Sequence, residues 1–195
     1  MMVNGGKYKK HVVLICVQAI NIISTNNTHM NDFSYKKLYQ KILCDCTVNV
    51  KGVHGVSHWV RVLKNGIYIS EKEHLPNKVI MCFALLHDSQ RLNDDEDPMH
   101  GRRAAEYALK IRKSYLNMSD EEFEQLQFAC VYHTHSENTE DKVIHACWDS
   151  DRLDLGRVGI TPDPCYLNTL TARYIAEHEL FHLLEDFKPD KGLLI

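Results

Sequence analysis

No Cys-x-x-Cys pair occurs anywhere in the 195 residues, although seven cysteines are present. Its absence excludes the thiolate spacing of a common structural zinc module. The cysteines are odd in number and scattered at 16, 44, 46, 82, 130, 147 and 165, which argues against a disulfide framework. Buried free thiols in a reducing cytosol are the expectation. Basic excess is absent too. A net charge of −3 carries no footprint for a nucleic-acid polymer, while a small phosphorylated ligand needs only local positive charge. No apolar run reaches membrane-spanning length. The candidate VVLICVQAINII at 12–23 follows Lys7, Lys9 and Lys10 in the manner of a signal peptide. Gln18 and Asn21 interrupt it, and no small-residue cleavage site follows. A cytoplasmic protein without a stable membrane anchor is therefore expected. Residues 1–29 read as a weakly ordered extension, upstream of the true start, and 30–195 as a single domain. Repeats and low-complexity tracts are missing. Strand-like alternation is confined to CTVNVKGV at 46–53.

Helical periodicity fills what remains. DFSYKKLYQKIL sets Phe33, Leu38 and Ile42 near one face, and HWVRVLKNGIYI continues a helix over about 54–69. LPNKVIMCFALLHD reads as a helix opened by Pro76, and DPMHGRRAAEYALKIRKSYL as one opened by Asp97 and Pro98. Ser119 followed by Glu122 forms a capping box ahead of EEFEQLQFACVYH. TEDKVIHACWDSDRLDLG and NTLTARYIAEHELFHLLEDF complete an all-α chain.

Ionisable residues with metal-ligand chemistry recur at the ends of these apolar stretches. His54 and His58 lie four apart, a spacing that stacks them on one helix face. His87 and Asp88 end VIMCFALL, His100 lies near a helix start, His133 ends FACVY, and Asp149 and Asp151 follow VIHACW. Singly, each has an ordinary explanation: a helix-end histidine caps the dipole, and Asp151 pairs with Arg152 or Arg157. Together they offset one another's burial around a cation. Imidazole with carboxylate suits Mn, Fe, Zn, Ni or Co better than the thiolate sites of structural zinc.

These residues resemble the HD-domain superfamily of metal-dependent phosphohydrolases, an all-α helical bundle with His…His-Asp…Asp ligands. The likeness runs over roughly 54–165, more than half of the chain, in HWVRV, FALLHDSQR and CWDSDRLDLGRVGITPDP. The longer strings around them look like one bacterial subfamily of stand-alone HD proteins without a settled substrate. The resemblance implies His58, His87, Asp88 and Asp151 as metal ligands, with Asp149 as a neighbour or as the rival to Asp151. It further implies that His54, His100 and His133 serve a second ion, with His135 as a substitute for His133. Asp88 would then bridge ions ~3.5–4 Å apart.

The implied activity is hydrolysis of a small phosphorylated compound, above all a nucleotide, with one or two divalent ions (Mn, Fe, Zn, Ni, Co or Mg). The reaction class (phosphomonoesterase, pyrophosphatase or phosphodiesterase), the metal and the oligomeric state stay open. Asp88 and Arg61 are the expected catalytic residues. Arg61, Arg91, Arg102, Arg103 and Arg152 follow the ligands closely enough to grip phosphate. The acidic loop Asp94–Asp97 is a solvated loop or a lid. An alternative is an HD fold that senses nucleotides without turnover. A minor alternative comes from HELFH at 178–182, which fits the H-E-x-x-H helix of zinc metalloproteases. It lacks the continuation that would supply a third ligand, and the expectation is a structural helix.

Overall fold

In a computed structural model, residues 35–188 apart from 136 are described. The expectations for residues 1–29 and for Phe33 lie outside them. The chain is all-α, and among the described residues no strand forms. The helices are α1 (Tyr35–Asp45), α2 (Val56–Glu73), α3 (Lys78–Leu86), α4 (His100–Tyr115), α5 (Asp120–Tyr132) and α6 (Lys142–Arg152). Two short 3₁₀ turns, Leu155–Val158 and Pro164–Tyr166, lead to α7 (Leu170–Glu177) and α8 (His182–Asp186). No helix among the described residues is long and apolar enough to cross a membrane.

Helix α3 is the centre of the bundle. Every residue from Val79 to Leu86 is buried, which is why VIMCFALL shows no polar face. It packs on α2, α5 and α6, and α2 packs on α6. Gly66 of α2 permits the close approach to α3, because a Cβ there would run into Ile80. Trp59, Phe83 and Trp148 fill the interior. Phe83 also stacks on the His87 ring, centroids 4.9 Å apart, so the core reaches the site directly. Truncating Phe83 to Ala would cost roughly 3–5 kcal/mol.

The capping box at the start of α5 forms as its residues predict: the Ser119 side chain accepts from Glu122 N, and the Glu122 side chain accepts from Ser119 N. Two expectations fail. CTVNVKGV is not a strand but a pair of tight turns, closed by Gly52 N on Asn49 O (2.8 Å) and Gly55 N on Gly52 O (3.0 Å). Asn49 and Gly52 satisfy the backbone locally before a partner strand can. The terminal helix is also broken. Glu179 sits in the left-handed region at φ 54, with Leu180 N donating to Ile175 O at 2.9 Å. This is a Schellman turn made without glycine. It delivers Phe181 and Leu184 to the core, and that burial outweighs the strain at Glu179.

Candidate metal centre

His87 and Asp88 follow directly on α3, and their backbone continues from the buried helix, with His87 N donating to Phe83 O. Both side chains are therefore held inside. His58 comes from the first turns of α2, His100 from the first residue of α4, His133 from the cap of α5, and Asp151 from the last turn of α6. Gly101 lets the start of α4 sit on the end of α5, because a Cβ there would strike Cys130 O. The contact brings His100 and His133 together, Nε2 to Nε2 at 2.8 Å.

Two groups result, each compact enough to hold a metal ion: His58, His87 and Asp88; and Asp88, His100 and His133. Asp88 belongs to both. His58 Nε2 lies 3.1 Å from His87 Nε2, and Asp151 Oδ1 lies 3.2 Å from the same His58 nitrogen. Asp88 Oδ1 is 3.2 Å from His100 Nε2 and 3.8 Å from His133 Nε2.

The outward nitrogens explain which atoms face inward. His58 Nδ1 donates to Asp154 Oδ2 (2.6 Å), His87 Nδ1 to Phe83 O (3.1 Å) and His133 Nδ1 to Cys130 O (2.7 Å). His100 Nδ1 donates to Asp97 O. With each Nδ1 proton engaged on an oxygen, four Nε2 lone pairs converge, the arrangement in which metal-ligating histidines are held. Asp88 Oδ1 and Asp151 Oδ1 are buried and accept no hydrogen bond. Lone pairs facing lone pairs in a buried site are unfavourable unless a cation lies among them. The donor set fits a divalent ion.

The protonation balance has the same origin. Burial pushes His87 down to about 3 and His100 down to about 4. Burial also disfavours charge on His58, but the Asp151 and Asp154 carboxylates beside it prevail and raise it. His133 is raised likewise, mainly by Asp88. Burial works against ionised Asp88 and Asp151 too, yet the surrounding imidazoles hold both low. The carboxylates thus favour a positive charge at the centre, which a proton or a metal ion supplies.

His54 differs from its expected setting. It lies in the turn before α2, off the helix that carries His58, and its Nδ1 reaches Asp88 Oδ2 at 2.7 Å. Its contact is with the shared carboxylate, and neither metal-competent group includes it. Asp149 turns away to accept from Asn168 N and Nδ2 and from Thr169 N and Oγ1, so it anchors the start of α7. Burial nonetheless raises it.

The centre opens into a cavity of about 840 Å³. Arg91, Arg152, Arg157 and Arg173 line it, as does His135. Arg61 does not. It clamps Asp154, Nε to Oδ1 at 2.6 Å and Nη2 to Oδ2 at 3.1 Å, and faces a separate smaller cavity. The anion it pairs with is the carboxylate that holds His58. Arg102 is exposed and outside the large cavity. Arg103 pairs with Asp97 instead. The acidic loop is tied down by Arg91, which donates to Asn93 O and Asp95 O.

Asp154 and Arg173 have no place in the sequence analysis, and Arg157 enters it only as a partner of Asp151. Asp154 stands three residues after Asp151 and takes its role from a contact across 96 positions, for which no local signal exists. Arg157 Nη1 lies 3.9 Å from Asp151 Oδ1 and is tethered to Val53 O and Asp154 O.

The solved structures supply a match. A predicted HD superfamily hydrolase from an uncultured Thermotogales bacterium superposes with a TM-score of 0.60, covering 80% of this chain and 91% of that one at 22% identity. The chain has the HD-domain fold. No family model and no curated protein matches the sequence.

The HELFH segment does not form the expected helical pair. His178 caps α7, Glu179 breaks it, and His182 opens α8. Among the described residues, neither histidine belongs to a group that could hold a metal.

Proposed function

We propose that this protein is a metal-dependent phosphohydrolase acting on a small phosphorylated compound of the nucleotide class. The observation that carries the reading is the convergence of two histidine–carboxylate groups on Asp88 at a cavity lined by arginines. His58, His87, Asp88 and Asp151 would hold one divalent ion, and Asp88, His100 and His133 a second. Ions bound there lower the pKa of a water and draw charge from phosphoryl oxygens.

The chain's own residues supply positioning. Asp154 and Phe83 O keep the protons of His58 and His87 on Nδ1, leaving Nε2 for the centre. His54 steadies Asp88 Oδ2. Arg157 stands beside Asp151 at the cavity wall, where a guanidinium can grip a phosphoryl oxygen through its planar fork. Arg91 is largely committed to backbone carbonyls and serves better as a local counter-charge to Asp88, 3.5 Å away. The described cysteines are free thiols, which favours a cytoplasmic setting. A small substrate is the partner we assign, with no nucleic-acid polymer and no membrane.

The test is phosphate and pyrophosphate release from a nucleotide panel with several divalent metals, beside elemental analysis of the purified protein. Turnover that depends on added metal and on Asp88 supports the reading. Metal-loaded, folded protein that binds nucleotides without turning any over would instead make this a sensing module.

A further inference from the structure

Exposed large hydrophobic side chains are scattered over the described surface, as on most proteins. Ile160 and Tyr166 stand apart, because both line the cavity of the metal centre. Leu170 and Tyr174 of α7 are also exposed and do not line it. Tyr166 is 73% exposed and Ile160 53%. Among the described residues, the Tyr166 ring packs on no other ring and its hydroxyl meets no hydrogen-bond partner.

The backbone beneath both side chains is pinned. Tyr166 N donates to Asp163 O at 3.0 Å, and Asp163 Oδ1 accepts from Cys165 N at 2.8 Å, which closes the 3₁₀ turn Pro164–Tyr166. Leu167 O, next along the chain, accepts from Arg173 Nε at 2.7 Å. Ile160 N donates to Leu155 O at 3.2 Å. A ring carried on a fixed turn is already in place for a ligand, so covering it costs little ordering. On an open surface a lone exposed tyrosine means nothing. On the wall of a cavity of about 840 Å³, a size that takes a whole small molecule, it is apolar area for that molecule to cover. Leu155 and Pro162 extend the apolar lining.

We infer that Tyr166 and Ile160 form the subsite for the rest of the substrate, and that it takes a flat heteroaromatic ring, a nucleobase, stacked on the face of Tyr166. The inference rests on the phosphohydrolase reading, in which the metal centre holds the phosphate. A tyrosine ring attracts a second flat ring beyond the area the two bury, whereas an alkyl chain gains the area alone. Stacking reads the face of a base and not its edge, so purines and pyrimidines both qualify. Tyr166 is thus a specificity-determining residue, with no part in phosphoryl transfer itself.

The test uses non-hydrolysable probes on metal-loaded, full-length protein, with binding read by calorimetry. Nucleoside 5′-phosphonates, one purine and one pyrimidine, are compared with the base-free ribose phosphonate and with an alkylphosphonate of similar length. The nucleoside probes should bind roughly tenfold or more tighter than the base-free one. Tyr166→Ala should bring that ratio towards one and leave binding of the base-free probe unchanged. Tyr166→Phe should keep most of it, because the ring and not the hydroxyl makes the contact. Ile160→Ala should lower it less. Both side chains are exposed, so the fold should tolerate the changes. A ratio near one in the parent, or a ratio unchanged in Tyr166→Ala, overturns the inference. So does an equal loss for the base-free probe, which would make Tyr166 a support of the cavity wall. An alkylphosphonate that binds as tightly as the nucleoside probes overturns it too, since the subsite would then be merely apolar. If the ratio fails while the base-free probe binds with metal and the nucleotide panel releases phosphate, the phosphohydrolase reading stands alone. A ratio that Tyr166→Ala abolishes, with no release from any nucleotide, keeps the subsite and removes the hydrolase.

Discussion

Two His-x-x-x-His pairs occur in this chain, and they come to opposite ends. His54 and His58 stand at the start of α2, and His178 and His182 stand near the C-terminus. Neither is the one-turn helical pair that the spacing suggests: His54 precedes its helix, and Glu179 breaks the other. His58 is nonetheless fully buried among Asp88, Asp151 and Asp154, and His54 reaches Asp88 from the turn. His178 is exposed, with its ring on Tyr174 and its Nδ1 on Tyr174 O. Spacing delivers rings to a neighbourhood. Buried carboxylates gathered around the rings make that neighbourhood a centre.

The comparison is most easily broken at Asp88. Asp88→Ala should lower phosphohydrolase turnover by roughly three orders of magnitude or more, since positioning and charge stabilisation carry phosphoryl transfer. Metal content should fall with it while far-ultraviolet circular dichroism stays native. Wild-type turnover in this variant would put the chemistry somewhere else.

Asp154 gives the next effect. Asp154→Asn keeps the shape but weakens the acceptor that fixes the His58 proton on Nδ1, and it loosens Arg61. Metal affinity, read by competition with a chelator, should drop about 10–100-fold. Arg61→Ala should do the same to a lesser degree through Asp154. An Arg61 variant that alters substrate KM alone, with metal affinity intact, would return Arg61 to the phosphate.

A smaller effect concerns acid stability of the loop that presents His100. The Arg103 guanidinium beside Asp97 holds its carboxyl down at about 2, against an ordinary 3.8. A depressed folded value means that stabilisation is complete above the ordinary value and is lost as pH falls through about 4 to 2. Asp97→Asn should therefore flatten the stability–pH curve in that window and lower the melting temperature most at neutral pH. Parallel curves for variant and parent would contradict this.

The smallest change should come from the other pair. His178→Ala with His182→Ala should leave metal content and turnover within about twofold, with at most a modest loss of stability. Loss of bound metal in that double variant would erase the contrast between the pairs.

Much of the architecture was legible because it is local. VIMCFALL with its proline-opened start reads as a buried helix, and Ser119 with Glu122 as the beginning of one. Placement of His58, His87, Asp88, His100, His133 and Asp151 at the edges of apolar stretches pointed to their convergence, since as a set they offset one another's burial around a cation. The segment 46–53 alternates like a strand, yet Asn49 and Gly52 turn it, because a local turn closes before a partner strand is met. The break in the terminal helix is silent in the sequence, since no glycine or proline marks Glu179 and its left-handed backbone is imposed by downstream packing.

By itself, then, the amino-acid sequence determined the all-helical class, most helix starts and the identity of the side chains able to meet a cation, all of which follow from periodicity, capping and the cost of burying charge. Tertiary structure alone decided which atoms meet. It turned Asp149 towards Thr169 and left Asp151 facing the histidines. It tied Arg61 to Asp154 and moved Arg157 and Arg173 to the cavity wall. The physical reason is that each of these outcomes depends on the angle at which distant helices pack. Close approaches such as Gly66 on Ile80 and Gly101 on Cys130 set that angle, and no short stretch of sequence encodes it.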